Sequence, residues 1–257
     1  MARALDRKVA IVTGAGGGIG SATARRPVAD GAAVLCVDRD ADAAARAAAS
    51  ARRHGGHADA VAADVSDAAG NEAMVERAVG AFGGLDVLHA NAAVQHLGRL
   101  DATSPEQWRE LFEVNLQGVA LGVGAALPRL RERGGGSIIM TASLLGIVGD
   151  SELPAYGAMK GGLRALCRAL AAAHGPENIR VNTICPGDVD TPMLRAFFAS
   201  QRDPAQACEQ VKQRYPLRRF AQPEDVAAVV AFLARDDAAY LTGIDVVVDG
   251  GLLAQIY

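Results

Sequence analysis

Tyr156 and Lys160 carry the residue types from which a proton-transfer site can be made. They open an alanine-rich helical stretch, Ala155, Tyr156, Gly157, Ala158, Met159, Lys160, in which positions four apart share one face. A free phenol titrates near pH ~10, so a tyrosine working as acid or base near neutrality needs its anion stabilised by about 4 kcal/mol. An ammonium one turn away supplies part of that. The same pair also occurs on ordinary helix faces, so the elements that position it decide the reading.

The chain has 257 residues, of which 50% are hydrophobic, 21% charged and 4% aromatic. An aliphatic core of this kind suits a parallel sheet covered on both faces by helices, and no shift in composition marks a linker, so one domain is expected. The net charge is -3 and the arginines are scattered among acids, which lacks the electrostatic footprint of a nucleic-acid binder. Cys36, Cys167, Cys185 and Cys208 form no Cys-x-x-Cys pair and have no histidines at ligand spacing. Buried free thiols and no metal are expected. Near the N-terminus the apolar run, 9–12, is four residues long, too short for a signal peptide or a membrane span, so a cytoplasmic protein is expected.

Residues 9–12 read as a buried strand, followed by Thr13, Gly14, Ala15, Gly16, Gly17, Gly18, Ile19, Gly20 and a helix running to Asp30. Glycines between strand and helix let the backbone turn sharply and approach a pyrophosphate at the positive end of the helix dipole. Pro27 should remove a hydrogen bond from that helix and bend it. A second strand over 33–37 ends at Asp38, 24 residues past Gly14. A carboxylate there can accept from adenosine ribose hydroxyls and repel a 2′-phosphate, which selects NAD over NADP, while Arg39 could stack on adenine or meet a phosphate. A helix over 40–54, a strand over 58–63 and the pair Asp64, Val65 follow. That pair either flanks the adenine or caps the next helix, 67–82.

A fourth strand, 87–89, leads to Asn91, then to Gln95 and His96 beyond its C-terminal end, where α/β sheets place substrates. His96 also fits a solvated loop. Ser104, Pro105 and Gln107 give a capping signature for a long helix. Its apolar stripe takes in Trp108, Leu111, Leu116 and Val119, and Asn115 falls on it. A buried amide there either satisfies local bonds or takes part in chemistry. Residues 137–142 form a strand that delivers Ser143, thirteen positions before Tyr156. The helix 154–174 and the strand 179–184 are followed by Pro186, Gly187, Val189 and Thr191, then a mixed, less regular segment over about 192–216 that reads as a lid. Arg195, Arg202, Lys212 and Arg214 in it could hold an anion or simply face solvent. A helix over 223–233 and a strand over 244–248 close the chain, giving about seven strands.

The glycine spacing, the Asn115 setting Val-Asn-Leu, Ser143 and the Tyr156/Lys160 pair together resemble the short-chain dehydrogenase/reductase family, over nearly the whole chain. The usual Asn-Asn-Ala-Gly is reduced here to Asn91 and Ala92, with Ala90 and Ala93 replacing the others. The resemblance implies a single-domain Rossmann fold, a doubly wound parallel sheet flanked by helices on both faces, with NAD as cofactor over Gly14, Gly18, Ile19 and Gly20. It implies a tetrad of Asn115, Ser143, Tyr156 and Lys160. Ser143 would hold the substrate oxygen, Tyr156 would take the proton, and Lys160 would lower the tyrosine pKa and bind the nicotinamide ribose. Asn115 would support a water on the proton path. Asp64 and Val65 would flank adenine, Asn91 would lie at the cofactor ribose, Val189 would meet the carboxamide and Thr191 would lie near the phosphates, with Pro186 and Gly187 running past the nicotinamide.

The expected activity is NAD-dependent interconversion of a secondary alcohol and a ketone. An NADPH-dependent 3-oxoacyl carrier protein reductase is the alternative, and a nucleotide-binding regulator without catalysis a third. Gln95, His96, Leu144, Leu145, Asp150, Glu152 and the lid leave a polyol, a hydroxy acid or a cyclic alcohol open as substrate. The resemblance also implies a homotetramer built on the helices of Asn115 and Tyr156, with the tail Gln255, Ile256, Tyr257 touching a neighbour.

Overall fold

A computed structural model describes residues 4–255, so Ile256 and Tyr257 of the expected tail contact lie outside the described residues. Among those described, seven parallel strands run β1 (Val9–Thr13), β2 (Ala33–Asp38), β3 (Ala58–Ala62), β4 (Val87–Ala90), β5 (Gly136–Thr141), β6 (Ile179–Pro186) and β7 (Asp245–Val248). Their order in the sheet is β3-β2-β1-β4-β5-β6-β7. The chain therefore builds outward on one side of β1, then returns to its other side at β4. That reversal leaves a crevice at the C-terminal ends of β1 and β4, where open α/β sheets bind ligands.

The helices are α1 (Gly18–Ala29), α2 (Ala41–Arg52), α3 (Ala68–Phe82), α4 (Pro105–Phe112), α5 (Gly118–Glu132), α6 (Pro154–His174), α7 (Pro192–Ala199), α8 (Pro204–Lys212) and α9 (Pro223–Ala234). Alternation along each strand divides the core. Val9 and Ile11 join Met74, Val123 and Leu163 of α3, α5 and α6. Ala10 and Val12 join Ala24, Val28 and Val230 of α1 and α9 on the opposite face. Both faces are covered, as the continuous apolar strands require.

The long helix expected after Ser104 is present as Pro105–Glu132, with a wider π-type turn, Glu113–Gln117, between α4 and α5 that contains the fully buried Asn115. Two expectations are corrected. The segment over 192–216 is more regular than read, since α7 and α8 occupy most of it and close over Phe198, Tyr215 and Phe220. Phe198 and Phe220 stack with ring centroids 5.5 Å apart. Cys208 is only partly buried, whereas Cys36, Cys167 and Cys185 are buried. Pro27 stays inside α1, in its last turn, where the missing N–H costs a single bond before the helix ends at Ala29. The stretch Pro105–Glu132 is long enough, and over 18 of its residues apolar enough, to cross a membrane, with mean hydropathy 1.3 over those 18. In the fold its inner side is core, with Val119, Val123, Ala126 and Leu130 buried.

Candidate active site

The glycine turn lies in the crevice. Gly14 has φ +63°, a left-handed conformation that a side chain disfavours, and a Cβ at Gly20 would come within 2.0 Å of the Gly14 carbonyl oxygen. Turn and helix start are thus pressed together. The N-cap of α1 is Gly17, and no side chain caps the first N–H groups of the helix. Those donors and the dipole behind them suit a dinucleotide pyrophosphate. The Thr191 side chain stands against Gly18, 2.7 Å from where a Cβ would be, and Ile19 packs into the core face of α1. Thr191 is therefore beside the start of α1 as well as the N-cap of α7, where its hydroxyl accepts from the Leu194 N–H.

Asp38 ends β2 and accepts from the Gly16 N–H at 2.9 Å and from the Asp40 N–H at 3.1 Å. Asp38, Arg39, Asp64, Val65 and Val94 line one cleft with Gly14. Asp64 accepts from both the N–H and the hydroxyl of Ser66, at 2.9 and 2.7 Å, which holds its carboxyl below the usual range. The cap of α3 is Asp67, so the capping alternative for Asp64 is corrected.

Asn91 sits at the junction of the two halves. Its amide donates to the carbonyls of Thr13 and Gly14, and its backbone N–H donates to the Thr13 hydroxyl. Asn115 accepts from the Val94 N–H and donates to the Val94 carbonyl, both at 2.8 Å. Its carboxamide is a clamp on the loop after β4, and the π-type turn is what carries it there. His96 is not a free loop residue: its Nε2 lies 2.7 Å from Glu110.

Ser143 follows β5 and caps the short 3₁₀ turn Leu144–Gly146, its hydroxyl accepting from the Leu145 N–H at 3.1 Å. That turn lies flat on α6 because Gly157 and Gly146 have no side chains. A Cβ on Gly157 would fall 2.9 Å from the Leu145 carbonyl oxygen, and one on Gly146 2.8 Å from the Lys160 backbone. Tyr156 and Lys160 project from α6 beside this turn, with Lys160 Nζ 5.3 Å from the Tyr156 ring centroid. Lys160 is fully buried and donates to the Thr141 carbonyl at 2.7 Å. Burial pushes its ammonium down to about 8 and pushes the Tyr156 phenol up. The expected lowering of the tyrosine by Lys160 is thus outweighed by desolvation in the protein alone.

Pro186 ends β6, and Gly187 donates to Val248. Val189 is buried and bridges to Ala221. Arg195 of α7 pairs with Asp190 at 2.9 Å, and Lys212 of α8 stands over the Phe220 ring, so these two cations are engaged within the fold. Among the described residues no group of three or more His, Cys, Asp or Glu could hold a metal. The sequence reading missed Thr141, His89 and the backbone of Val94 as parts of the site. A histidine in the apolar strand before Asn91 and a threonine in the apolar strand before Ser143 were the signal.

A model of the family described as Enoyl-(Acyl carrier protein) reductase matches residues 14–253. The chain is 40% identical over 250 residues to meso-2,3-butanediol dehydrogenase of Serratia marcescens, covering 97% of this chain and 96% of that one. It is also 40% identical over 261 residues to cis-4-hydroxycyclohexanecarboxylate dehydrogenase of Sinomonas cyclohexanicum, covering 99% and 100%. The crystal structure of levodione reductase matches with a TM-score of 0.94 at 34% identity, over 98% of this chain and 100% of that one. With the seven-stranded sheet, the glycine turn and the clustered Ser143, Tyr156 and Lys160, these likenesses show that the chain is an oxidoreductase belonging to the short-chain dehydrogenase/reductase family.

Proposed function

We propose that the protein is an NAD-dependent dehydrogenase that interconverts a secondary alcohol and a ketone, with Tyr156 as the acid and base. The observation that carries this is the placement of Lys160 Nζ 5.3 Å from the Tyr156 ring, next to the strand end that presents Ser143. The two dehydrogenases to which the chain is 40% identical are named for butanediol and for a hydroxycyclohexanecarboxylate, both secondary alcohols.

When bound, NAD supplies the acceptor for the hydride of the carbinol carbon and a positive ring beside it. Ser143 accepts from the Leu145 N–H, which leaves its own proton to donate to the substrate oxygen. Tyr156 takes the hydroxyl proton in oxidation and returns it in reduction. Since burial raises the phenol, the phenolate depends on nearby positive charge, and Lys160 is the cation placed for it. With its own ammonium near 8, Lys160 can also pass a proton on near neutral pH. Asn115 contributes by fixing the Val94 loop.

NAD is favoured over NADP because Asp38, Asp64, Glu110 and Glu113 line the adenosine cleft against the single cation Arg39. A 2′-phosphate would meet net negative charge there. The family model's description names an acyl carrier protein reductase, and the second reading is an NADPH-dependent 3-oxoacyl carrier protein reductase. Comparing turnover with NAD and NADP separates the two. The whole chain is read as one catalytic domain, α7 and α8 as its lid and the assembly as a homotetramer, which a solution mass near one subunit would contradict.

The deciding experiment is Tyr156→Phe. The variant should bind NAD and melt like the parent while losing about 10²- to 10⁴-fold in kcat. Turnover equal to the parent's would overturn the assignment.

A further inference from the structure

We propose that His89 and Thr141 are positioning residues for the dinucleotide site, acting by fixing which way the Asn91 carboxamide points. This rests on the reading of the turn from Gly14 to Gly20 as the cofactor turn. β4 and β5 pair with His89 opposite Ile139, so His89 on β4 and Asn91 just past its end, and Ile139 and Thr141 on β5, direct their side chains to the same face. There the Thr141 hydroxyl meets both neighbours, 2.9 Å from His89 Nε2 and 3.2 Å from Asn91 Oδ1.

Proton counting decides the arrangement. A hydroxyl has one proton to give, and an amide oxygen can only accept. Thr141 therefore donates to Asn91 Oδ1, and the hydrogen bond to His89 requires the proton on Nε2. With Oδ1 held, the Asn91 amide nitrogen must face the opposite way, onto the carbonyls of Thr13 at 3.0 Å and Gly14 at 3.4 Å. The reversed amide would set an acceptor against those two acceptors. The Gly14 carbonyl also takes the Gly17 N–H at 3.1 Å, so it closes the turn, and its peptide is oriented by Asn91.

The imidazole makes a single hydrogen bond among the described residues, the one to Thr141. It is 1% exposed, and its Nδ1 has no partner among the described residues. Burial drives its titration down to about 3, so the neutral ring with Nε2–H is the form at physiological pH. An aliphatic side chain would fill a parallel-strand position without an unpaired buried nitrogen. Thr141 also gives its carbonyl to Lys160, so one residue ties the cofactor turn to the buried ammonium.

The test is calorimetric titration of the protein with NAD, together with nitrogen-detected NMR of the His89 ring in the protein without NAD. Thr141→Val keeps the backbone carbonyl and the side-chain volume while removing the hydroxyl. It should weaken NAD binding about fivefold to tenfold, Thr141→Ser should bind like the parent, and His89→Gln, which can still donate, should bind more tightly than His89→Leu. NMR should show the Nε2–H tautomer. Equal NAD affinity of Thr141→Val and Thr141→Ser, or a proton on Nδ1, would overturn the proposal. If Thr141→Val does not fold, the His89 pair decides alone. A parent protein that binds no NAD would instead sink the reading of the turn, an outcome separate from the tautomer.

Discussion

Lys160 Nζ donates to the Thr141 carbonyl at 2.7 Å, and this is the one hydrogen bond to a protein group that supports the ammonium among the described residues. A fully buried cation with a single neutral partner is held at a cost. Its titration falls from 10.5 to about 8, so the unfolded chain binds the proton more tightly, and below pH 8 the folded state carries a penalty of about 3 kcal/mol. That penalty fades as pH rises from 8 towards 10.5. Lys160→Met, similar in length and uncharged, should therefore melt several degrees above the parent at pH 7 and have almost no dehydrogenase activity. Thermal melts at pH 7 and pH 10 check it. Equal or lower stability at pH 7 would mean that the bond to Thr141 offsets the desolvation.

His89 sets an acid limit by the same linkage with the opposite window. Its folded-state titration lies at about 3 and its unfolded one at 6.5, so above pH 6.5 both states are neutral and nothing is lost. As pH falls from 6.5 towards 3 only the unfolded chain gains the proton, and stability drops by about 1.4 kcal/mol per pH unit. Denaturant titrations from pH 7 to pH 4 should fall more steeply for the parent than for His89→Gln. Parallel curves would show that His89 takes no part in the acid loss.

The contrast between these buried groups and the rest of the site explains what was readable in the chain. Gly14, Asp38, Ser143 and Tyr156 stand at strand ends or in a helix start, and local pattern alone locates such places. The seven strands and the helix Pro154–His174 came from apolar runs bounded by turn residues, for the same reason. The π-type turn around Asn115 was not readable, because one extra residue in a helical ring leaves the apolar periodicity almost intact. Nor was the Thr141 junction, whose partners lie 50 and 52 positions away in sequence and meet only through the strand pairing. The regularity of α7 and α8 was hidden because they bury their own small aromatic core instead of facing the sheet.

The seat of Ser143 on α6 gives a steric prediction. At Gly157 an added methyl would fall 2.9 Å from the Leu145 carbonyl oxygen, so the turn that carries Ser143 must lift away from Tyr156. A displacement of about 1 Å at a reacting group can cost about 10²-fold. Gly157→Ala should lower kcat by at least about tenfold while the KM for NAD changes little, since the cofactor turn is on another element. Steady-state kinetics check it, and an unaltered kcat would show that the turn yields without moving the hydroxyl.

Asp38 has two tasks that one substitution can separate. Its Oδ2 accepts from the Gly16 N–H at 2.9 Å, which shapes the glycine turn, while its charge opposes a 2′-phosphate. Asp38→Ala would remove both and confuse them. Asp38→Asn keeps an acceptor for Gly16 and removes only the charge, leaving Arg39 free to meet a phosphate in the same cleft. At a half-buried strand end one unit of charge is worth about 1 to 2 kcal/mol against a phosphate, so kcat/KM with NADP should rise about tenfold. With NAD it should fall by less, because a neutral amide still accepts from a ribose hydroxyl. Rates with both cofactors on one substrate give the ratio directly. A ratio that does not move would assign the discrimination to Asp64, Glu110 and Glu113, and the first of these to change would be Asp64, whose carboxyl is held ionised by Ser66.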